Sequence, residues 1–231
     1  MKKTARRPLV LLWIALAFYG SNAMASVFCS QRAGASEGLS SLKRVTAGTL
    51  TTGIPVSLLM VPKTECDARQ DCRVRGAPVL AGAGQGVELA HDQSWICVGI
   101  PGKRPLDVWY GWVPRGRWKA IATSQTFADQ WLGVWQNDHA KIEIRTSDAQ
   151  ALAVRGNAIF DGGSGGPDFG DFDFIGTPKN GMLTNEVPEF SNGCTVALHI
   201  AGKFLVAADN GQCGGMNVNF DGVYRLRRRL Q

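Results

Sequence analysis

Apolar and polar residues alternate most clearly in the second half of the chain. Ile142 and Ile144 are interleaved with Glu143 and Arg145, and Leu152 and Val154 repeat the pattern after a polar turn at 146–149. A period of two belongs to a strand with one face in a core and one in water, so these segments are expected to form a hairpin. Residues 195–200 and 204–207 predict a second hairpin around Gly202-Lys203. Counting outward from that turn brings Cys194 and Cys213 nearly opposite each other, with Asn210-Gly211 absorbing the mismatch as a bulge or turn. Met216, Val218 and Phe220 alternate with Asn217 and Asn219, which predicts a last strand, and Asp221-Gly222 interrupts it before Tyr224.

The first half is choppier. Residues 56–61, 87–89, 95–100 and 108–113 are apolar runs of strand length, separated by Gly48, Gly53, Pro55, a glycine-rich turn at 81–86, and Gly102 with Pro105. No segment sustains a helical period. The expected fold class is all-β: two small antiparallel barrels or sandwiches, over 26–120 and 131–231, joined by a polar linker at 121–130. Six of the seven tryptophans (Trp95, Trp109, Trp112, Trp118, Trp131, Trp135) fall across this seam. Large aromatics dominate burial, so the core is expected to be anchored there.

The N-terminus changes the setting. Lys2, Lys3, Arg6 and Arg7 precede an apolar run at 9–19, and Ala23-Met24-Ala25 offers small residues for cleavage, so 1–25 reads as a signal peptide. The run is eleven residues long, whereas a spanning helix needs about 20. A soluble periplasmic or secreted protein without a membrane span is expected. Those four cations account for most of the formal net charge of +6 and leave +2 from Ser26 onward, which gives no case for nucleic acid. Positive charge remains at Arg225, Arg227, Arg228 and Arg229, read either as a solvated basic tail or as a contact for anionic head groups or wall polymers.

Six cysteines in an exported chain argue for disulfides. If each half folds alone, Cys194 pairs with Cys213. In the first half we favour Cys66 with Cys72, a tight local loop, and Cys29 with Cys97, which ties the N-terminus to the tryptophan-rich strand. No C-x-x-C spacing occurs and histidines number three, so neither zinc nor another cofactor is expected.

Trp95-Ile96-Cys97-Val98, a loop, and Gly111-Trp112-Val113-Pro114 resemble the closing strands of a bacterial SH3-like (SH3b) domain, and Val87-Glu88-Leu89 suits its order. The resemblance covers about residues 75–118. It implies a small barrel that binds peptidoglycan peptides or an envelope protein, with Trp109, Trp112 and Trp118 serving either as core or as a ligand-stacking surface. The insertion at 66–72 and the loop at 103–107 depart from the pattern. In the second half, residues 209–218 resemble uncharacterised small exported proteobacterial proteins, and the run of hairpins is similar to avidin-like and lipocalin-like barrels that accept a ligand at one end.

Chemistry is sparsely marked. Gly162-Gly163-Ser164-Gly165-Gly166-Pro167 resembles the nucleophile loop of chymotrypsin-like proteases, with His91 and Asp107 in a permitted order, but Gly163 stands where that family has aspartate. A flexible loop explains the same glycines. Asp161, Asp168, Asp171 and Asp173 in that glycine-rich setting could ligate calcium, and Glu186 with Glu189 could form a carboxylate pair. The reading favoured by the sequence is a non-catalytic binding protein of the cell envelope. A periplasmic inhibitor of a lysozyme-like enzyme, entering its cleft through 162–167, is the alternative, and a serine hydrolase using Ser164 comes third.

Overall fold

The computed structural model describes residues 29–30, 39–62, 66, 71–82, 84–104, 106–122, 128–148, 151–162, 166–185 and 193–230. The expected signal peptide, positions 123–127 of the linker, Ser164, Glu186 and Glu189 lie outside the described residues.

Five strands, β1 (Thr46–Leu50), β2 (Gln85–His91), β3 (Trp95–Pro101), β4 (Val108–Pro114) and β5 (Trp118–Ala120), make an antiparallel sheet in the order β4-β3-β2-β1-β5. A 3-10 turn at Arg115–Arg117 swings the chain from β4 into β5, which returns beside β1. The strand expected at 56–61 is instead three isolated bridges, Val56 to Leu80, Leu59 to Arg73 and Leu59 to Trp112. The strand falls earlier, at β1, whose weakly apolar Thr-Ala-Gly-Thr-Leu is held by neighbours on both edges. Trp118 lies directly over Gly48 and takes the space a side chain would need there.

Eight further strands, β6 (Gly133–Gln136), β7 (Ala140–Thr146), β8 (Leu152–Phe160), β9 (Asp168–Gly176), β10 (Met182–Thr184), β11 (Val196–Ala201), β12 (Phe204–Asp209) and β13 (Gly222–Arg228), form a nearly closed antiparallel barrel in the order β10-β11-β12-β13-β6-β7-β8-β9. Both expected hairpins are present, with Ile144 opposite Val154 and Ala201 opposite Phe204 across a turn where Gly202 has φ +61°. Two expectations need correcting. The segment after 167, read as loop, is strand β9: Phe172 turns inward while Phe169, Asp171, Asp173 and Ile175 point to water. The last strand is β13, not 216–220, so Arg225, Arg227 and Arg228 belong to a strand. The Asp209 carboxylate accepts from the N–H groups of Gly211 and Phe220, closing 210–220 into a loop. Both hydrogen bonds hold backbone that would otherwise have entered a ladder.

Disulfides join Cys29 to Cys97, Cys66 to Cys72 and Cys194 to Cys213. Three apolar clusters result. One, with Leu58, Val98 and Trp118, fills the five-stranded unit. A second, with Trp131, Trp135, Phe172, Phe220 and Tyr224, fills the barrel axis with side chains, in the place where the avidin-like analogy puts a ligand. The third lies between the two sheets: Ala47, Val87, Leu89, Cys97 and Trp112 meet Ala197, Ala201, Phe204, Val206 and Val223, with Leu42 of the 3-10 helix Leu39–Arg44 wedged in. Close approach requires a small residue, since a Cβ on Gly99 would stand 2.8 Å from Val223 Cγ2. Tyr110 crosses the junction as well, its hydroxyl accepting from Val223 N–H at 3.0 Å.

Candidate functional site

Beyond β1 the chain turns at Gly53 and Pro55 and lays Val56 and Leu58 into the core, leaving Met60 exposed. Segment 71–80 is bound alongside it by Met60 N–H to Cys72 O and Val74 N–H to Leu58 O, both at 2.8 Å. The Cys66–Cys72 disulfide closes the intervening loop. Alternation in Arg73-Val74-Arg75 sends Val74 against the core and both arginines outward. Between the two segments runs an open groove of about 530 Å3, with Leu58 and Val74 in its floor and Met60, Arg73, Arg75 and Val79 on its walls. Val79 is 59% exposed, a large apolar surface to leave in water. Arg73 forks onto Asp71 at 2.7 and 2.8 Å, and that guanidinium holds the Asp71 carboxyl down to about 2. Arg75 has no ion-pair partner among the described residues.

The three candidate tryptophans separate. Trp112, 5% exposed, is part of the core between the sheets, and Trp118, 8% exposed, is inside the five-stranded unit. Trp109 is half-buried and is not part of the groove's lining: its ring lies 3.7 Å from where a Cβ on Gly76 would stand and packs beside Gly102. Sequence reasoning missed Met60, Arg73, Arg75 and Val79. The spacing Cys66…Cys72 followed by Arg-Val-Arg-Gly was the available signal.

The catalytic candidates are not gathered. His91 sits opposite Ile96, at the start of β3, and bonds Glu88 at 2.8 Å, whereas Asp107 precedes Val108, which sits opposite Pro101 at the end of β3. Strand rise of about 3.3 Å per residue puts the two ends of β3 roughly 17 Å apart or more. His139 bonds Asp138 at 2.8 Å and draws that carboxyl below its ordinary range. His199 Nδ1 faces the Gly181 carbonyl at 2.8 Å in the dry junction. Alternation along β9 places Asp171 and Asp173 on the outer face, opposite Asn157 and Arg155. Among the described residues no three or more His, Cys, Asp or Glu side chains are grouped to hold a metal ion. No protein-family model, curated protein or solved structure matches this chain.

At the β8–β9 end of the barrel, Ile159, Phe160 and Phe169 are 50%, 38% and 63% exposed beside the glycine-rich connection. No described helix is long and apolar enough to cross a membrane.

Proposed function

We propose that this is an exported, non-catalytic binding protein of the bacterial cell envelope that takes a wall peptide or a protein partner in the groove between residues 57–60 and 71–79. The observation that carries this reading is the groove itself: a concave surface with an apolar floor, exposed Met60 and Val79, and Arg75 free to meet a carboxylate. Binding sites are concave and mostly apolar with a few placed polar groups. Support for an SH3-like first half comes from the strand order, in which β5 returns beside β1 after a 3-10 turn. Three disulfides suit an oxidising compartment.

Co-sedimentation of the chain from Ser26 with purified peptidoglycan tests it. Retention should fall at least tenfold in Arg75→Glu and in Met60→Asp, with unchanged unfolding midpoints. Retention that ignores both substitutions removes the groove from the reading. A second reading, inhibition of a lysozyme-like enzyme, is favoured by the exposed Ile159, Phe160 and Phe169 flanking the connection that would enter the cleft. It requires that the chain lower muramidase turnover and that Phe169→Asp abolish the effect.

A further inference from the structure

We propose that Lys103 and Arg104 of the first unit and Arg225, Arg227, Arg228 and Arg229 of the second form one composite site for phosphate-bearing anions. The arginines read from sequence as a tail are held in or just after β13, and Arg225, the first of them, reaches the backbone of Arg104 in the other unit, with Arg227, Arg228 and Arg229 following it along the chain.

Two contacts carry the argument. Arg225 Nη1 donates to the Arg104 carbonyl at 3.1 Å, and Arg229 Nη1 donates to the Asp129 carbonyl at 3.2 Å. Both guanidinium groups are thereby oriented by neutral backbone oxygens. Their charge stays uncompensated, and the remaining N–H donors of each fork stay available. None of the six cations forms an ion pair among the described residues. A merely solvated patch gains nothing from crowding like charges, which repel. The rest of the outer barrel surface interleaves the two signs, as in the row Glu143, Arg155, Asp173. Five of the six cations are arginine, whose planar fork matches the paired oxygens of a phosphate better than an ammonium does. The groove at Arg75 plays no part in this site, so either proposal can fail alone.

The test uses the whole chain from Ser26 on vesicles of phosphatidylcholine alone and of phosphatidylcholine with phosphatidylglycerol. Retention is expected on the anionic vesicles only, falling about fivefold for each cation removed and weakening with salt. The pairs Lys103→Gln with Arg104→Gln and Arg227→Gln with Arg228→Gln should weaken it to similar degrees, with unfolding midpoints unchanged. Displacement by millimolar inorganic phosphate would assign the site to a single phosphate group, and persistence in phosphate would assign it to a headgroup-covered surface. Equal retention on neutral vesicles, no retention on either, or indifference to the Lys103 and Arg104 pair would each overturn the composite site.

Discussion

The barrel has two outer faces made of the same kind of strand. On β7, β8 and β9 the outward positions include Lys141, Glu143, Arg145, Arg155, Asn157, Asp171 and Asp173, with Ile159, Phe169 and Ile175 as the large apolar exceptions, all exposed. On β11 and β12 every residue is buried, and the outward row Met182, His199, Val206, Val223 packs beneath the five-stranded unit. The backbone ladder is equivalent on both sides. What differs is what lies above it, so the sequence of a strand records its neighbour as much as its sheet.

The sharpest way to break this comparison is to put the same charge on each face. Val206→Asp buries an unpaired carboxylate between the sheets, at a position 1% exposed. The expected loss is about 3–5 kcal/mol of unfolding free energy, enough to endanger folding. Ala153→Asp places its carboxylate opposite Arg145 on the wet face. There the expected change is within about 1 kcal/mol and of stabilising sign. Urea unfolding of the two variants measures both, and similar losses would mean that the two faces do not differ as described.

A smaller effect tests the polar tie across the dry junction. Tyr110→Phe leaves Val223 N–H without its acceptor, at a cost of about 1–3 kcal/mol. Burial also pushes the phenol pKa of Tyr110, and that of Tyr224, above the ordinary value. Sign follows from which state ionises first. Above pH of about 10 the unfolded chain releases these protons and the folded chain keeps them, so stability falls as pH rises. Each tyrosine contributes up to about 1.4 kcal/mol per pH unit, and Tyr110→Phe should flatten the alkaline slope by one such share. An unchanged slope would show that water reaches the hydroxyl.

These differences explain what could be read in advance. Ile142 to Val154 and the pair of runs around Gly202 announced their hairpins because alternation, or its absence, reflects burial directly. Cys194 and Cys213 could be matched by counting from the same turn. Strand β9 was hidden although Asp171-Phe172-Asp173-Phe174 alternates, because the adjoining glycines suggested a loop. Strand β13 was hidden because its second half is arginine, tolerated there by an exposed outer face. The groove was the least legible: two segments without regular strands are joined by isolated bridges and a disulfide, and neither announces the other in sequence. For Trp112 the sequence left core and ligand-stacking surface both open, and its place against a second sheet was not legible, since that depends on how the two units meet.

The finest test concerns His199, the histidine in the dry row. Burial lowers its pKa, partly offset by the carbonyls of Gly181 and Val45. As pH falls below the ordinary value of about 6.5 the unfolded chain takes up a proton before the folded one does. The contribution of His199 is therefore intact above that pH and is lost as pH falls toward the depressed folded pKa. The loss is at most about 1.4 kcal/mol per pH unit. His199→Gln can still donate to the Gly181 carbonyl but cannot titrate, so it should remove this part of the acid slope while leaving the neutral-pH midpoint within about 1 kcal/mol. Parallel pH curves for the two proteins would mean that His199 protonates freely in the folded state. A face that admits a proton and its hydration is not dry, and the contrast between β7–β9 and β11–β13 would then be one of side-chain size rather than of exclusion from water.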